Sequence, residues 1–315
     1  MNSMKTIVIV GSINTDLVIR APRHVLPGET LHADSFEIFT GGKGANQAAA
    51  AARLGAKAVM VGNVGNDAFG LERIDALEAA GVQTECIRVV EGSSGMAVIV
   101  VSATGENSIL VLSGANGEMS PADVERHRAL ILNAGMVLSQ LETPLPMLEA
   151  LAILCSEHGV PLMLDPAPAH PLSRELLRRI TWLTPNESEA EQLFHRKLDS
   201  VDEKFLAQLA EEVLADGPQN LLLKLGSRGA FLATGNGQRM LLPAIAVPVV
   251  DTTAAGDAFN GAFATRLVAG DEPLEAARFA IAAAALSVTR HGALPSMPDA
   301  REVQALLQLQ PQLKS

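Results

Sequence analysis

The sequence predicts an α/β protein with a mainly parallel central sheet and helices on both faces of that sheet. Three observations lead to this prediction. Strand-like and helix-like segments alternate along most of the 315 residues, hydrophobic residues make up 48% of the chain, and aromatic residues make up only 3%. A chain of this length buries a large core. With so few aromatic residues, that core must be built from Ala, Leu, Val and Ile.

The individual elements follow in order from local patterns. A buried strand at 6–10 opens the chain, Gly81 and Gly159 each end a helix, and Ser120-Pro121 begins another. The remaining predictions are strands at 58–62, 136–140, 161–165, 182–184 and 221–225, and helices at 44–54, 69–80 and 146–157.

Two stretches depart from this alternation. Segments 13–20 and 29–39 have strand-like patterns around Pro22 and Pro27-Gly28, and segments 95–102 and 107–112 flank a hairpin turn. We expect them to form a small antiparallel sheet within about 13–40 and 95–112, outside the main sheet. Such a sheet can act as a lid that covers a substrate and excludes water. Because its exposed side needs a cover, a homodimer formed through two lids is expected.

Charge and cysteine content narrow the classes of partner. The net charge is −11 and no basic stripe is present, so we expect neither a nucleic-acid nor a membrane partner. The apolar run at 7–10 is too short for a signal segment or a membrane span. Cys86 and Cys155 lie in apolar stretches without metal-ligand spacing. They are expected to be reduced core thiols of a cytoplasmic protein.

The segment 251–264 (Asp-Thr-Thr-Ala-Ala-Gly-Asp-Ala-Phe-Asn-Gly-Ala-Phe-Ala) is the most informative motif. It places the small residues Ala254, Ala255 and Gly256 at the start of an apolar helix, where unpaired N–H groups and the helix dipole favour an anion such as phosphate. Asp257 follows directly and suits a general base for a hydroxyl that attacks phosphorus. The alternative is that Asp257 is only a first-turn acid favoured by the helix dipole.

A second motif, residues 40–47 (Thr-Gly-Gly-Lys-Gly-Ala-Asn-Gln), turns sharply into a helix. Its glycines expose backbone N–H groups, and Lys43 and Asn46 can bind several hydroxyls. The spacing fits neither a Walker A loop nor a dinucleotide fingerprint. A purely structural glycine turn is the alternative.

Three further segments follow predicted strands. Asn14 and Asp16 share one face of an extended segment and suit a polyol, or else an Asx turn. Asn186 and Glu189 form either a capping box or a pair that holds Mg²⁺ through water. Residues 224–230 (Lys-Leu-Gly-Ser-Arg-Gly-Ala) either wrap a nucleotide or form a plain β-turn.

Together, residues 41–47, 184–189 and 251–257 resemble the signatures of the ribokinase-type (PfkB) carbohydrate kinases. Residues 11–16, 105–107, 113–116, 139–142 and 166–169 are similar to members of that family as well. The similarity extends from about residue 7 to residue 298. It implies a ribokinase-like three-layer αβα fold, with one kinase domain over residues 1–315. It also implies ATP-dependent phosphorylation of D-ribose at its primary 5-hydroxyl to ribose 5-phosphate.

The same resemblance implies roles for individual residues. The sugar hydroxyls would be bound by Asn14, Asp16, Gly42, Lys43, Asn46 and Glu142. Asp257 would be the general base, beside an anion hole of Ala254, Ala255 and Gly256. ATP would contact Asn186, Lys224, Gly226, Ser227, Arg228, Gly229, Ala255 and Gly256. Mg²⁺ would be held by Asn186 and Glu189, largely through water. An activating K⁺ would be held, mostly by carbonyls, at Asp251, Thr253, Ser287, Arg290, Gly292 and Ser296.

Other functions remain open from the residues alone. A deoxyribokinase, a fructokinase or a nucleoside kinase of the same fold would carry the same motifs. The polar residues Asn14, Asp16, Lys43 and Glu142 favour a small polyhydroxy sugar over a nucleoside. The scarcity of aromatic residues also argues against a base-stacking pocket. A non-catalytic sugar sensor is a further alternative, although a sensor has no need of the base Asp257.

Overall fold

The structure is a computed structural model, and it describes residues 5–198, 202–215 and 217–309. Their strands are β1 (Ile7–Val10), β2 (Asn14–Ala21), β3 (Ser35–Gly41), β4 (Ala58–Gly65), β5 (Gln83–Val90), β6 (Gly95–Ser102), β7 (Asn107–Leu112), β8 (Met136–Ser139), β9 (Leu162–Leu164), β10 (Trp182–Leu183), β11 (Asn220–Lys224), β12 (Ala230–Thr234) and β13 (Arg239–Leu242). Their helices are α1 (Lys43–Arg53), α2 (Ala68–Ala79), α3 (Pro121–Arg126), α4 (Arg128–Leu132), α5 (Leu145–Glu157), α6 (Arg174–Leu177), α7 (Glu187–Phe194), α8 (Glu203–Ala215), α9 (Ala255–Ala269), α10 (Pro273–Ser287) and α11 (Ala300–Gln308).

The main sheet has nine strands in the order β13-β12-β11-β10-β9-β8-β1-β4-β5. The strands from β11 to β5 run parallel, and β12 and β13 form an antiparallel hairpin at one edge. The predicted mainly parallel sheet is therefore confirmed. The sequence patterns did not identify β5 or the β12–β13 hairpin. These strands lie at the two edges of the sheet, and β5 and β13 are only partly buried, so their hydrophobic patterns are weak.

Side chains of the buried strands alternate between two cores, one on each face of the sheet. On β1, Ile7 and Ile9 pack with residues of α1, α9 and α10, whereas Val8 and Val10 pack with residues of α5 and α8. The first core contains many alanines, and in it the rings of Trp182 and Phe263 meet edge to face with their centroids 4.9 Å apart. The result is the expected three-layer αβα arrangement.

Close packing of α1 against α9 depends on Gly261. A Cβ at this position would lie 2.6 Å from Cβ of Ala50 and 2.8 Å from the backbone oxygen of Gln47. We expect Gly261→Ala to lower the free energy of unfolding by about 1–3 kcal/mol through overpacking, despite alanine's better helix propensity. Thermal denaturation measures this. Gly117→Ala is the control, because its nearest neighbour would lie 3.4 Å away. A stabilised Gly261→Ala variant would contradict the packing argument.

The second sheet contains the four lid strands in the order β3-β2-β6-β7. Its two outer pairs, β2–β3 and β6–β7, are antiparallel as expected, while its central strands β2 and β6 run parallel. The strand predicted at 29–39 begins later, at Ser35. On the edge strand β7, residues 109–112 expose between 51% and 75% of their surface, so both of its faces are uncovered. We call these four strands the lid.

The two cysteines are free, as expected, but they differ in burial. Cys155 is fully buried on α5, and burial raises the pKa of its thiol to about 12. The prediction that Cys86 is a core thiol was wrong, because β5 is an edge strand and leaves this side chain half-buried. Among the helices of the described residues, none has the length and apolar character needed to span a bilayer.

Candidate active site

The predicted site residues converge at the carboxyl edge of the parallel strands. Asn14, Glu142 and Asp165 follow β1, β8 and β9, respectively, while Asn186 follows β10 and Lys224 ends β11. Asn186 and Lys224 are bridged to each other across the ends of their strands. Because parallel strands present their carboxyl ends on one side, residues distant in sequence meet there. The first turn of α9 and the start of α1 complete this edge.

Asp257 lies in the first turn of α9 and is 5% exposed. The helix begins after Ala254, which adopts a left-handed backbone conformation with a φ of 59°. The Asp257 carboxylate accepts hydrogen bonds from Nδ2 of Asn46 at 3.1 Å and from Nε2 of Gln47 at 3.0 Å. Both donors are on α1, so the glycine-rich motif and the 251–257 motif meet at this carboxylate.

Two amide side chains, those of Gln140 and Gln47, form a chain that orients the Gln47 donor to Asp257. The sequence motifs assigned neither amide a role. Nε2 of Gln140 donates to Oε1 of Gln47 at 2.8 Å, which leaves only N–H groups of Gln47 facing the carboxylates. Nε2 of Gln47 then donates to Asp257 and also, at 3.0 Å, to Oδ2 of Asp165. Nothing in the local sequence distinguishes these amides from ordinary core polar residues.

The surroundings of Asp257 raise the pKa of its carboxyl group above the ordinary value. Burial is the main cause, and the nearby Asp165 carboxylate adds to it. Lys43 and the two amide donors oppose this rise by stabilising the charged form. The resulting carboxylate is a stronger base than a solvent-exposed aspartate, which suits proton transfer from a hydroxyl.

A group of polar residues lies between the lid and the main sheet, where the sequence predicts the binding of sugar hydroxyls, and we call this region the sugar side. Glu142 accepts hydrogen bonds from the backbone N of Lys43, at 3.0 Å, and from the hydroxyl of Ser12. Oδ1 of Asn14 accepts from Nδ2 of Asn116 at 2.7 Å. Oδ1 of Asn46 is buried without a hydrogen-bond partner among the described residues. An acceptor left in this state fits a ligand hydroxyl.

Two glycines of the same motif make room for these groups. A Cβ on Gly41 would lie 2.0 Å from Oδ2 of Asp16, so only glycine lets this carboxylate approach the start of α1. Gly42 has a φ of 89°, in the left-handed region that favours glycine. A Cβ there would lie 2.7 Å from the backbone N of Asn14. The glycines thus have a steric role in the site, and the simple structural-turn alternative is incomplete.

The charges on the sugar side are partly uncompensated. Burial raises the pKa of Asp16 to about 7, and the carboxylates of Glu142 and Asp257 add to the rise, whereas Arg73 and Lys43 lower it. Burial alone would lower the pKa of Lys43, but the surrounding carboxylates, Asp257 foremost, raise it above its ordinary value. Lys43 therefore remains charged, and it lies between the sugar side and Asp257.

A polar cavity of about 520 Å³ adjoins Asp257 on the other side. It is lined by Lys43, Asp165, Asn186, Glu187, Ser188, Glu189, Lys224, Gly226, Thr252, Ala254, Ala255, Gly256 and Asp257. Asn186 and Glu189 form the capping box of α7: Oδ1 of Asn186 accepts from the backbone N of Glu189 at 2.9 Å, and Glu189 accepts from the backbone N of Asn186 at 2.7 Å. The capping-box interpretation is therefore confirmed, and it coexists with the position of this pair in the cavity.

A second, mostly apolar cavity of about 540 Å³ continues from the first. Its lining includes Gly226, Ser227 and Gly229, as predicted, and also Ala244, Ile245, Ala246, Val247, Val249, Phe259, Ile281, Ala284, Ala285 and Val288, which the sequence did not indicate. Arg228, which was also predicted to contact ATP, is not among the lining residues of either cavity. Its guanidinium group forms an ion pair with Glu187, which does line the polar cavity.

The segments predicted to hold a monovalent cation lie beside each other. Oδ1 of Asp251 accepts from the backbone N of Thr253 at 2.9 Å, and Oδ2 accepts from the backbone N of Gly292 at 2.9 Å. The hydroxyls of Ser287 and Ser296 donate to backbone oxygens within their own segments. The guanidinium group of Arg290 pairs with Glu302. Because the side chain of Arg290 is paired in this way, only its backbone can contribute to the predicted cation site.

A buried carboxylate at a helix start, a polar cavity on one side of it and hydroxyl-binding groups on the other together define a kinase that acts on a small polyhydroxy substrate. A family model described as pfkB family carbohydrate kinase matches residues 4–300. The chain belongs to this family and is a carbohydrate kinase.

Curated relatives agree with this assignment over nearly the whole chain. Ribokinase of Haemophilus influenzae is 42% identical over 305 residues, covering 96% of this chain and 99% of the relative. Ribokinase of Bacillus subtilis is 40% identical over 304 residues, covering 96% and 100%. Deoxyribokinase of Salmonella typhi is 36% identical over 305 residues, covering 96% and 99%.

Solved structures show the same fold. Arabidopsis thaliana ribokinase complexed with ribose and ATP superposes with a TM-score of 0.89 at 37% identity, covering 96% of this chain and 99% of the other. Ribokinase from Thermotoga maritima gives a TM-score of 0.87 at 36% identity, with the same coverage. The predicted ribokinase-like fold is confirmed.

Proposed function

We propose that the protein phosphorylates D-ribose at its primary 5-hydroxyl with ATP and releases ribose 5-phosphate and ADP, with residues 1–315 acting as one kinase domain. The observation that carries this proposal is the position of Asp257, buried between the sugar-side polar groups and the polar cavity at the start of α9. The resemblance to ribokinases, one of them solved with ribose and ATP, supports ribose as the sugar.

In the proposed reaction, the oxygen of the sugar's 5-hydroxyl forms a bond to the γ-phosphorus of ATP. The Asp257 carboxylate takes the proton of that hydroxyl. The bond from that phosphorus to the β–γ bridging oxygen breaks, and ADP leaves with the bonding pair. Because the transition state of phosphoryl transfer is loose, proton transfer occurs late, and alignment supplies most of the acceleration. Backbone N–H groups of Ala254, Ala255 and Gly256 at the helix start are proposed to stabilise the charge on the transferring group.

The sugar is proposed to lie between the lid and α1. Asp16 and Glu142 would accept hydrogen bonds from its hydroxyls, and Asn14, Lys43, Asn46 and the backbone of Gly42 would complete the set. The unpartnered Oδ1 of Asn46 supports this role, as does the charge of Lys43, which four carboxylates, Glu142 among them, stabilise. Carboxylates and amides in this mixture suit a polyol because each hydroxyl both donates and accepts.

The adenine and its ribose are proposed to occupy the apolar cavity, and the phosphates the polar one. Lys224, Gly226, Ser227, Gly229 and Asn186 would contact ATP at the junction. Arg228 would act at the rim through its pair with Glu187. The apolar lining supports this assignment, because a nucleobase gains affinity by burial against apolar side chains.

The residues present fit a Mg²⁺ ion that enters with ATP. Four carboxylates, those of Asp165, Glu187, Glu189 and Asp257, line the polar cavity with only two lysines. Burial, together with the nearby Asp165, raises the pKa of Glu189. A divalent cation would offset this charge. Because the oxygens of Asn186 and Glu189 already accept hydrogen bonds within the capping box, they would hold the ion through water. When bound, the ion would supply charge neutralisation for the phosphates.

A K⁺ site is proposed where segment 251–253 meets residues 287–296. The hydrogen bonds of Asp251 to Thr253 and Gly292 support this site, since they hold the two segments together and orient their carbonyls. Asp251, Thr253, Ser287, Arg290, Gly292 and Ser296 would contribute, mainly through backbone oxygens. Such an ion would act indirectly, by holding the loop before Ala254 in shape.

We also propose that the lid forms a homodimer interface. Ile109, Leu110 and Val111 on β7 are exposed apolar residues on an edge strand, a surface that proteins usually cover. Leu110→Asp is expected to shift the mass in sedimentation experiments from dimer to monomer. Ile153→Asp, at an exposed position on α5 outside the lid, should leave the mass unchanged. A wild type that sediments as a monomer at micromolar concentration would contradict this proposal.

The pH dependence of kcat/KM for ribose is expected to follow the protonation of Asp16. Its pKa in the free enzyme is raised to about 7, so it is protonated below that pH and loses part of its capacity to accept hydrogen bonds. We expect kcat/KM for ribose to fall as the pH decreases below 7. In Glu142→Gln the midpoint should move to lower pH, because a neighbouring negative charge has been removed. A wild-type profile that is flat down to pH 5 would contradict this assignment.

The experiment that tests the proposed function is identification of the product. Protein, MgATP, K⁺ and ¹³C-labelled ribose are incubated, and the product is examined by ³¹P and ¹³C NMR. We expect phosphorus coupling to C5 of the sugar. Coupling to C1 instead, or no phosphorylated ribose at all, would overturn the proposal.

A further inference from the structure

Asp165 is the residue that joins the two halves of the site. It follows β9, is 2% exposed, and its two carboxylate oxygens have different partners. Oδ1 accepts from Nζ of Lys224 at 2.8 Å, and Oδ2 accepts from Nε2 of Gln47 at 3.0 Å. A buried carboxylate is costly unless it is paired in this way.

The first partner, Lys224, lies at the place proposed for the phosphates. A Cβ on Gly256 would be 3.4 Å from Nζ of Lys224, so the ammonium group borders the first turn of α9. Its side chain is only 12% exposed. Asp165 is the anchor that holds this flexible side chain there, since a lysine has four rotatable bonds and few steric preferences of its own.

The second partner, Gln47, is one of the two amide donors to Asp257. Its oxygen is occupied by Gln140, so its amide can present only N–H groups, one to Asp165 and one to Asp257. One carboxylate therefore sets the position of the cation beside the phosphate and supports the donor that orients the base.

We propose that Asp165 is a positioning residue of the phosphoryl transfer, which acts by holding the Lys224 ammonium group against the phosphate at the start of α9. This inference rests on the proposed function but assigns a role that the reaction itself does not require. The competing interpretation is that Asp165 is only a negative charge near the phosphates, in which case its removal would tighten ATP binding.

Asp165→Asn separates these interpretations because of the amide chain. Gln47 presents only N–H groups, so an asparagine at 165 must turn its Oδ1 toward Gln47. Its Nδ2 then faces Nζ of Lys224, donor against donor. The substitution therefore preserves the contact with Gln47 and specifically breaks the contact with Lys224.

The experiment is a double-mutant cycle with Asp165→Asn, Lys224→Met and the double variant. We expect Asp165→Asn to lower kcat about 10- to 100-fold, which is the range that misplacement of a catalytic group causes, with KM for ribose within about threefold. ATP affinity, measured by calorimetry, is expected to weaken. If Asp165 acts through Lys224, the double variant should have a kcat within about threefold of Lys224→Met.

Asp271→Asn is the matched control, because it removes a carboxylate that pairs with Arg266 at the far end of α9. Its kinetics should equal those of the wild type. Wild-type kcat or tighter ATP binding in Asp165→Asn would overturn the inference, as would multiplicative losses in the double variant.

A buried, unpaired lysine can prevent folding of Asp165→Asn. In that case the inference is tested by comparing kcat of Lys224→Met with kcat of the double variant, since both lack the unpaired ammonium group. A further loss of tenfold or more in the double variant would overturn the inference. If the wild type phosphorylates no ribose, the proposed function fails by itself, and the ATP affinities of the three variants still test the position of Lys224.

Discussion

Asp257→Asn is expected to lower kcat about 10²- to 10⁴-fold, the range that removal of a general base causes. Asparagine keeps the size of the side chain and one acceptor oxygen, but it cannot take the proton of the attacking hydroxyl. The alignment of the substrates and the backbone N–H groups of the helix start would remain, so residual turnover is expected.

Sugar binding should change less than kcat in this variant. Asn46 and Gln47 both donate to the carboxylate, so asparagine loses one of these two bonds, while Asp16 and Glu142 remain. Single-turnover kinetics give the chemical step, calorimetry gives the ribose affinity, and circular dichroism confirms folding. Turnover near the wild-type rate would contradict the role of Asp257 as the base.

Asp16→Asn is expected to lower kcat/KM for ribose about 10²- to 10³-fold, mainly through KM. Hydrogen bonds to a charged group contribute about 1.5–3 kcal/mol each, and two sugar hydroxyls sharing this carboxylate account for that loss. The introduced amide would offer one acceptor and two donors in place of an acceptor-only group. Initial rates over a range of ribose concentrations at pH 8 measure the effect.

The same substitution should stabilise the protein without ligand at pH 8. The folded-state pKa of Asp16, about 7, is above its ordinary value of 3.8, so the ionised group destabilises the fold, and stability is lost as the pH rises through 7. A neutral amide removes this effect, and Tm at pH 8 should rise relative to the wild type. A lower Tm together with unchanged kcat/KM would show that Asp16 is a structural residue.

Much of the site was predictable because its motifs are local. The small residues before Asp257 and the glycines before α1 mark two helix starts, and strand ends mark Asn14, Asn186 and Lys224. Parallel strands necessarily bring such positions to one edge, so the sequence indicates which residues meet. The lid followed equally from short strand patterns around turns.

What could not be predicted depends on contacts distant in sequence. Gln140 donates to Gln47 across 93 positions, and Gln47 donates to Asp165 across 118. Gln47 and Gln140 lie in segments that the sequence singles out, 40–47 and 139–142, but no local pattern indicates that these three side chains meet. The apolar cavity combines residues 244–249 with residues 281–288, which separately resemble ordinary core. The parallel pairing of β2 with β6 likewise joins segments that are separated in the chain by β3, α1, β4, α2 and β5.

We propose that this carbohydrate kinase uses ribose, and steady-state kcat/KM for ribose, 2-deoxyribose and fructose with MgATP and K⁺ tests this most directly. ADP release should be most efficient with ribose, by about tenfold or more over 2-deoxyribose, because a site built to bind a hydroxyl discriminates against its absence. Higher kcat/KM for 2-deoxyribose or fructose, or no sugar-dependent ADP release from the folded protein, would contradict the claim.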